Sequence, residues 1–550
     1  KFYPMLAAQL LNHHGERLEA EQRERLRDVL RHAVEIGLQK SRLAGMNDNH
    51  PLLGLAGVLA GAAVEPIDEA VAAEATEGLR RMLRMLDRRG YLSEYTSPTY
   101  TPVSLQCLAE IAAFCPFEEP AELAREGERL LWIELASHWH PSTCFLAGPH
   151  SRAYPIDLAA HFHNSHPVLY LVFGEDWVPI NPLTHLLPYY DDKQVRHHSH
   201  EEFVQGASMW HLITTYHPPE EAMELMWRKP DPTTVIATSE FGSFPRSRGV
   251  HYPDAETPFY EFAAGHTVNT TYLTDRFALG TSRREFLDGL QNANLHLVFA
   301  RNRPARTIAD LATLYPVFQV GRFDPGRDTI PNQRGRAITL QSEGTALSLQ
   351  RPRVPWQVDR EGDRGWDERG VDAIQLSLLL TCFHAPPDEL RLGGHRLDGF
   401  EGESESSVPI FLRDHGLFVA IHPLTVTNHG REAAVRVRMI NGFLELALIH
   451  YEGALRVFSE FELCATLGGF VLSVADAEAW PDFDAFCAAE AAAEIQDHPA
   501  APHHRETVFR RGDLELAMEI SPLSEGIKYA AINGCLAPED RFSVNGHPAR

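Results

Sequence analysis

Lysine is scarce in this sequence, and long apolar runs are missing from it. Lysine stands at only five of the 550 positions, and the other basic residues are arginine. No apolar run reaches the roughly 20 residues that cross a bilayer. The nearest approach, 52–64, is short and rich in Gly and Ala, which predicts a packed core helix. We therefore expect no membrane-spanning segment.

Positive charge is also in deficit. The chain has 75 acidic residues against 50 basic ones, and its formal net charge is -25. Nucleic acids and anionic membrane surfaces bind basic faces, so neither is expected as a partner. An anionic ligand is not excluded, because a cleft can hold a local cluster of Arg and His inside an acidic protein.

Disulfide and nucleotide motifs are missing too. The seven cysteines stand singly, without a CxxC pair, which predicts reduced thiols and favours a reducing interior. The chain opens at Lys1, so the compartment stays open between the cytoplasm and, after removal of a leader, the periplasm or the exterior. There is no glycine-rich phosphate loop and no GxSxG motif, so nothing indicates a nucleotide site or a serine hydrolase.

The hydrophobic period changes once along the chain. Up to about residue 230, apolar residues recur at helical spacing, and the linkers are rich in Pro, Gly, His and Tyr. The helices predicted there are 19–39, 68–87, 103–114, 120–137 and 201–216. Helical hairpins joined by long aromatic loops predict an (α/α) toroid, an incomplete barrel whose loops converge on one face.

After about residue 235 the sequence alternates with the period of β-strands, punctuated by Gly, Pro, Asn and Asp. The predicted strands are 266–273, 294–300, 337–341, 373–383, 417–426, 433–440, 443–451, 468–474 and 513–521. This region is long enough for a large antiparallel β-sandwich. The sequence thus predicts an α+β multidomain protein with a toroid over 1–235, a sandwich over 236–550 and a linker at 229–243.

Three clusters of polar and aromatic residues stand in loops or helix ends of the helical half. The first is Met46-Asn47-Asp48-Asn49-His50-Pro51, directly ahead of the Gly/Ala-rich helix. The second is 90–100, GYLSEYTSPTY. The third is 148–154, GPHSRAY, followed by 161–166, HFHNSH. These clusters are where we expect the chemistry of the protein.

An Asn-His pair ahead of a small-residue helix, followed further along by an acidic residue, Ser-Pro and Tyr at the next helix, resembles the heparinase II/III and alginate lyase superfamily. The order of toroid and sandwich is also similar to that group. So is the stretch 272–301, where a Leu-Gly-Thr turn precedes a later strand. The resemblance covers most of the chain in architecture, and these short motifs in detail. It implies a polysaccharide lyase that cleaves a uronic-acid glycan by β-elimination and leaves an unsaturated uronate end.

The resemblance also implies roles for individual residues. Eliminative cleavage needs a neutralised uronate carboxylate, a base at C5 and an acid at the leaving O4. Asn49 and His50 fall on the carboxylate-binding position of the family, and Tyr100 falls on its catalytic tyrosine. Where the family shows Glu-Gly-Ser, this sequence has Glu94-Tyr95-Thr96-Ser97. The extra aromatic leaves open whether Tyr95 or Tyr100 carries the proton.

The third cluster would supply the remaining groups. Three histidines are eligible to assist the proton transfer, namely His150, His163 and His166. Arg152 has the planar fork of donors that clamps a carboxylate, and Tyr154 is a second phenol. Glu94 is expected to orient a neighbour or a sugar hydroxyl, and Asn164 joins the substrate-binding set.

Purely structural interpretations compete with these functional roles. Asn49 would serve as the cap of a helix that begins near Pro51. The second cluster would be an ordinary loop into a helix, with Ser97 as its cap and Pro98 at the first helical position.

The sequence motifs do not predict a metal site. The spacing His161-x-His163-x-x-His166 has the residue type of a zinc site, but i, i+2 positions do not share one helix face. No cofactor follows from the motifs. Some members of the superfamily carry a metal at the seam of toroid and sandwich, which leaves a structural divalent metal open at His251, His266 or His384.

Two other functions fit the helical loops. A glycoside hydrolase on a toroid would use a pair of carboxylates. The loops offer Glu94, Asp157, Asp176, Asp191 and Asp192. A non-catalytic glycan-binding protein would stack sugars on aromatic residues. The loops offer Trp139, Trp177, Tyr189, Tyr190 and Trp210.

The lyase is the function we expect among the three. The clusters are richer in His, Tyr, Asn and Arg than in paired acids, which is the balance that elimination needs. The expected partner is then an acidic polysaccharide or oligosaccharide. The oligomeric state is open, with a homodimer among the alternatives.

Overall fold

The computed structural model describes residues 2–38, 48–154, 158–159, 163–175, 178, 210–240, 266–286, 292–323, 333–353, 370–500 and 502–549. Within them, helices come first and antiparallel sheets follow. The α-helices are α1 (Phe2–His14), α2 (Ala20–Gly37), α3 (Asn49–Leu59), α4 (Glu69–Arg88), α5 (Tyr100–Phe114), α6 (Glu118–His138), α7 (Ser165–Phe173), α8 (Glu220–Trp227), α9 (Glu460–Cys464) and α10 (Phe483–Ala491). No helix in these ranges is long and apolar enough to cross a membrane.

Helix α4 shows how the sequence dictates these elements. The Asp68 side chain accepts a hydrogen bond from the Val71 backbone N–H (2.8 Å) and so caps the first turn. Leu79, Met82 and Leu86 recur at helical spacing and are buried, whereas the charged residues between them lie on the outer face. The pattern that predicts the helix is therefore the pattern that packs it.

Most predicted helices are confirmed. Those predicted at 19–39, 68–87, 103–114 and 120–137 are α2, α4, α5 and α6. The helix predicted at 201–216 lies mostly outside the described residues. The closure of the helices into a toroid stays a prediction.

The strands form three larger sheets and two short pairs. They are β1 (Trp139–His140), β2 (Phe145–Leu146), β3 (His150–Ser151), β4 (Thr233–Glu240), β5 (His266–Leu273), β6 (Phe277–Ser282), β7 (Asn292–Ala293), β8 (Leu295–Ala300), β9 (Leu311–Val320), β10 (Gly335–Ser342), β11 (Thr345–Pro352), β12 (Val371–Thr381), β13 (Glu389–Leu392), β14 (His395–Arg396), β15 (Gly402–Ser404), β16 (Ile410–Asp414), β17 (Leu417–Pro423), β18 (Val435–Ile440), β19 (Phe443–Arg456), β20 (Gly468–Asp476), β21 (Glu494–Ala500), β22 (His504–Arg511), β23 (Leu514–Ser521), β24 (Gly526–Ile532), β25 (Cys535–Leu536), β26 (Phe542–Val544) and β27 (His547–Pro548).

The order of the strands defines the layers. An 11-stranded sheet runs β15-β18-β19-β12-β9-β8-β6-β5-β4-β26-β27, and a 7-stranded sheet runs β10-β11-β20-β17-β16-β13-β14. A 5-stranded sheet follows the chain from β21 to β25, and the short pairs are β1–β2 and β3–β7. Neighbouring strands pair antiparallel. The nine predicted strand segments all coincide with strands of these sheets.

Strand β12 explains why the 11-stranded sheet lies in the middle. Successive side chains of a strand point to opposite faces. Leu376 and Leu378 enter the core shared with the 7-stranded sheet, whereas Leu379 enters the core shared with the helices. Its nearly continuous apolar sequence therefore fits burial on both faces. The 5-stranded sheet adds an outer layer, because Phe509 and Met518 pack with Leu347 of the 7-stranded sheet.

The linker predicted at 229–243 is wrong for most of its length. Its residues 233–240 form β4, which pairs with β5 and with β26 near the carboxyl end of the chain. Val235 and Ala237 enter the helical core, so the strand is half-buried by alternation although it is rich in Thr. The division into 1–235 and 236–550 stays a prediction, and β4 spans it.

Close backbone contacts hold the second and third clusters against the sheet. A Cβ on Gly280 of β6 would lie 2.1 Å from the carbonyl carbon of Gly148, so only glycine permits this approach. The backbone N–H groups of Gly90 and Tyr91 both donate to Thr238 O (2.8 and 3.1 Å). Pairing of β3 with β7 anchors the third cluster as well.

Candidate active site

The first two clusters meet through a reciprocal set of carboxylate contacts. Asp48 Oδ2 accepts hydrogen bonds from the Ser93 hydroxyl (2.7 Å) and from the Glu94 backbone N–H (2.9 Å). In return, Glu94 Oε2 accepts from the Asn49 backbone N–H (2.7 Å). All four residues are buried. The start of α3 and the loop ahead of α5 are thus fixed to each other, with the Glu94 carboxylate at a helix N-terminus that favours negative charge.

Asn49 does not cap α3, and that prediction is wrong. The helix begins at Asn49, whose N–H is taken by Glu94 from another loop, so the capping place is filled from outside. The Asn49 carboxamide is fully buried, and neither of its polar atoms has a hydrogen-bond partner among the described residues. A buried amide in this state is costly, and a ligand would satisfy it. The next residue, His50, is half-buried.

Ser97 places Tyr100 at the start of α5. The Ser97 hydroxyl accepts from the Tyr100 backbone N–H (2.9 Å), and the Ser97 carbonyl accepts from the Thr101 N–H (3.1 Å). The Ser97 hydroxyl thus binds a backbone N–H at the helix start, as a cap would, but Thr99 holds the capping position and the predicted start at Pro98 is wrong. This hydrogen bond uses only the backbone of Tyr100, so it leaves the phenol available for a catalytic role.

Arg152 lies between the acid and the tyrosine of the second cluster. Its Nε donates to Glu94 Oε1 (3.1 Å), and its Cζ lies 4.3 Å from the centre of the Tyr100 ring. The Tyr100 hydroxyl is 2.6 Å from the Tyr154 hydroxyl. Arg152 has a left-handed backbone, with φ at 49°, which costs a residue of this type about 1–3 kcal/mol. A buried guanidinium held in this way against a carboxylate and a phenol ring is typical of a binding site.

Burial sets the protonation of this group. It raises the pKa of Glu94 to about 8, against the opposing effect of Arg152, and the Asp48 carboxylate adds to the rise. Burial also raises the pKa of Tyr100 well above its ordinary value, again against Arg152. Tyr100 is therefore a neutral phenol at neutral pH, while Glu94 titrates close to the physiological range.

Tyr95 lies in different surroundings. Its hydroxyl donates to the Ser282 hydroxyl of β6 (3.3 Å), and its ring meets Phe286 edge-on with 6.5 Å between centroids. It is 1% exposed. The two phenols that the sequence leaves as alternatives are thus distinct in the fold, since Tyr95 contacts the sheet and Tyr100 contacts Arg152.

His150 is attached to the same loop as the tyrosines. Its Nδ1 lies 2.7 Å from Thr96 O, which fixes the proton on Nδ1 and leaves Nε2 as the basic nitrogen. Burial lowers the pKa of His150 to about 4, so the ring is neutral near pH 7. Asn164 reaches the same region, because its Nδ2 donates to Thr99 O (3.3 Å) directly before α5.

His163 and His166 pack around Phe145 instead. Their ring centroids lie 4.7 and 5.6 Å from that of Phe145, and His166 Nε2 is 3.1 Å from Cys144 O. The contacts therefore join five of the predicted residues in one group: Asn49, Glu94, Tyr100, Arg152 and Tyr154. Tyr95, His163 and His166 contact other residues, and His150 and Asn164 reach the group only through the backbone carbonyls of Thr96 and Thr99.

Asp48 contacts this group through Ser93 and Glu94, and the sequence did not predict it as a site residue. The signal was present, because Asp48 stands inside the first cluster and is an acid next to the Asn-His pair. What the sequence could not show is that this acid contacts Ser93 and the Glu94 backbone, which lie in a different loop.

Several other predicted residues lie outside the described part of the chain. They are Asp157, His161, Asp176, Trp177, Tyr189, Tyr190, Asp191, Asp192 and His251. Among the residues that the structure describes, no three His, Cys, Asp or Glu side chains come together as the ligands of a metal ion.

Comparison with known proteins gives little to add to this geometry. A family model described as a domain of unknown function (DUF8769) matches residues 59–200. No curated protein matches the sequence significantly. Among solved structures, the chain is similar to a heparinase III (the BT4657 gene product), with a TM-score of 0.30 and 9% identity over 94% of this chain and 74% of that one. It is also similar to the heparan sulfate lyase HepC from Pedobacter heparinus, with a TM-score of 0.27 and 8% identity over 92% and 69%. Likeness at these scores carries no argument about activity, which has to be inferred from the site.

Proposed function

We propose that the chain is a polysaccharide lyase that cleaves an acidic, uronic-acid-containing glycan by β-elimination. The observation that supports this proposal best is the buried guanidinium of Arg152, which lies against Glu94 and 4.3 Å from the Tyr100 ring. Elimination needs this combination, a fixed positive charge for the uronate carboxylate and a phenol that carries the proton. The proposal includes a toroidal arrangement of the helices around the site.

The first task of the site is to neutralise the uronate carboxylate. In the proposed reaction, Arg152 and the Asn49 carboxamide hold that group, with His50 beside them. The charge that develops towards an enolate is then stabilised, and the C5 proton becomes acidic enough to remove. The carboxamide gains the partner that it lacks among the described residues. Glu94 positions Arg152 through the contact of 3.1 Å.

The second task is to move two protons. The neutral ring of His150 accepts the C5 proton at Nε2, and Tyr100 donates its proton to the leaving O4. The C5–H electron pair becomes the C4–C5 double bond, and the C4–O4 bond breaks. Burial keeps the Tyr100 phenol protonated at neutral pH, so it carries the proton that the donor role requires. Between turnovers the His150 imidazolium loses its proton to solvent, and Tyr154, which is half-buried and contacts the Tyr100 hydroxyl, relays a proton from solvent back to Tyr100.

The decisive experiment is an ultraviolet absorbance scan of the purified protein with a panel of uronic-acid polysaccharides. Elimination leaves a double bond conjugated to the carboxylate, which absorbs where the products of hydrolysis do not. We expect absorbance to rise with at least one substrate. New reducing ends without absorbance would show hydrolysis, and neither product with any member of the panel would contradict the proposal.

Replacing the proton carrier tests the assignment of residues. Tyr100→Phe removes the hydroxyl but keeps the ring over Arg152, and we expect the initial rate to fall by about 100-fold or more. Tyr95→Phe is the matched control, since it removes a phenol that contacts the sheet, and its rate should stay within a few-fold of the wild type. Retained activity in Tyr100→Phe would remove this residue from the mechanism.

One observation favours a second function, a glycoside hydrolase. Burial raises the pKa of Glu94 to about 8, and a carboxyl with a raised pKa is what a hydrolase uses as its general acid. Against this, both Glu94 oxygens accept from N–H donors, which is the arrangement of an ionised carboxylate. The pH dependence of the rate separates the two functions, because they need opposite forms of Glu94.

A further inference from the structure

A cleft lies where the three larger sheets meet, in a part of the molecule that the proposed reaction does not use. It has a volume of about 170 Å³ and is partly open to solvent. The 11-stranded sheet contributes β4, β5 and β6, the 7-stranded sheet contributes the end of β10 and its turn, and the 5-stranded sheet contributes the region of β24 and β25. An engineered cavity of roughly 150 Å³ holds benzene, so this cleft has room for one six-membered ring.

The floor of the cleft follows from the register of the sheet. Ile236, Thr270 and Thr281 are directly opposite one another on β4, β5 and β6 and share one face. This face is the opposite of the one that packs on the helices, since Val235 and Ala237 enter the helical core. The floor therefore alternates small apolar surface with hydroxyl groups.

The roof is tied to the floor by one glutamine. Thr281 donates to Gln341 Oε1 (2.8 Å), and Gln341 Nε2 donates to Leu279 O (2.9 Å) and Glu343 O (2.8 Å). Both polar ends of the Gln341 side chain are thus hydrogen-bonded. They fix the distance between β6 and β10, and the side chain does not fill the space between them. The cleft is a built feature of the fold.

Other polar groups of the lining are left for a ligand. The hydroxyls of Thr234, Thr270 and Ser342 line the cleft, and none of them makes a hydrogen bond within the described residues. Each hydroxyl can both donate and accept. A ligand with several hydroxyls of its own would match them, and the apolar surface of Ile236 would meet its ring.

The charges of the lining select against an anion. Arg283 is the cation of the cleft wall, and it is already held by the Glu539 carboxylate and by Pro538 O (3.0 Å). Glu343 lines the cleft with a negative charge. With its cation neutralised and a further acid nearby, the cleft disfavours an anionic ligand, and its hydroxyl groups match a neutral one.

We propose that this cleft binds a neutral pyranose sugar, either as a free monosaccharide or as one unit of a longer glycan. The inference rests on the lining and not on the proposed lyase reaction, so each stands or falls separately. It gives the sheets a binding role that is distinct from the cluster around Arg152.

The test uses the full chain with free glucose, galactose and mannose, followed by ligand-observed saturation-transfer NMR and by titration. These sugars contain no glycosidic bond, so binding is measured in the absence of any cleavage. We expect at least one of them to bind. No binding by any of the three would overturn the proposal.

Variants at Thr270 assign the binding to the cleft. Thr270→Trp fills the space and should abolish the signal, whereas Thr270→Val removes one hydroxyl and should weaken binding about fivefold. Thr425→Val is the matched control, because Thr425 is exposed and does not line the cleft. Equal binding by a folded Thr270→Trp protein would overturn the assignment. If that variant fails to fold, unchanged affinity in Thr270→Val would overturn it instead.

Discussion

The helical half and the sheets each bury an arginine–carboxylate pair, and the two pairs are built differently. Arg301, which follows β8, meets Asp414 of β16 through Nε and Nη2 at 2.7–3.2 Å, so two nitrogens of the guanidinium face the carboxylate. Arg152 meets Glu94 through Nε at 3.1 Å, and its guanidinium also lies over the Tyr100 ring. The Arg301 guanidinium binds one carboxylate through two of its nitrogens, whereas the Arg152 guanidinium contacts both a carboxylate and a phenol ring.

The neighbours of the two acids differ as well. Asp414 also contacts His415 Nδ1 (2.7 Å), and this hydrogen bond raises the pKa of His415. Glu94 has a second acid beside it, Asp48, and burial raises the pKa of Glu94 to about 8. A matched buried pair supports a fold, whereas a buried acid held near its titration point is typical of sites that bind or react. The same two residue types thus serve different purposes according to what surrounds them.

The largest effect is expected when the cation of the sheet pair is removed. Arg301→Met leaves the fully buried Asp414 without its guanidinium, and the free energy of unfolding should fall by about 3–5 kcal/mol. Urea denaturation followed by tryptophan fluorescence measures this loss. The double variant Arg301→Met/Asp414→Leu removes both charges and should recover part of the stability. A loss under about 1 kcal/mol in the single variant would show that the Arg301–Asp414 pair does not stabilise the fold as a buried pair should.

The same conservative change in the two pairs sharpens the comparison. Arg152→Lys keeps the charge but loses the planar fork, so we expect the initial rate of elimination to fall about 100-fold with a change in unfolding free energy near 1 kcal/mol. Arg301→Lys is the matched control, and it should cost stability while the rate stays within a few-fold of the wild type. If Arg301→Lys lost the rate and Arg152→Lys kept it, the reaction would take place near Arg301 and the sheets.

The contrast between the pairs also shows what the sequence could predict. Period and turn residues predicted most helices and nine strand segments, among them β12, but they missed β9, which is just as buried. They also pointed to the hydrogen bond of Ser97 at the start of α5, because such a bond is local, although Thr99 holds the capping position. The strand β4 was missed, since its sequence TTVIATSE is rich in polar residues and stands where the helical period ends.

Contacts between distant segments were beyond the sequence. Nothing local shows that Asp48 meets the Glu94 backbone, or that Glu94 displaces Asn49 from the capping role. The choice between Tyr95 and Tyr100 is of the same kind, because both stand in one short motif and only their tertiary partners differ. Residue types could therefore be predicted for the site, and their pairing could not.

A pH dependence that belongs to Glu94 is also expected. The folded protein holds the Glu94 proton more tightly than the unfolded chain, because burial raises the pKa from 4.5 to about 8. The stability due to this proton is fully present below pH 4.5 and is lost as the pH rises through 8. Glu94→Gln keeps a neutral side chain at every pH, so its free energy of unfolding should fall less than that of the wild type across this range.

The rate should respond in the opposite direction. In the proposed lyase the ionised Glu94 holds Arg152, so the rate should rise about tenfold between one pH unit below and one above the pKa of about 8. The variant Glu94→Gln should be slower, and its rate should not rise with pH in this range. Asp388→Asn is the control, because Asp388 is an acid at the sheets beside His415, and its rate should still rise with pH. A rate that falls through the same range, with the fall absent from Glu94→Gln, would make Glu94 a general acid and favour the hydrolase.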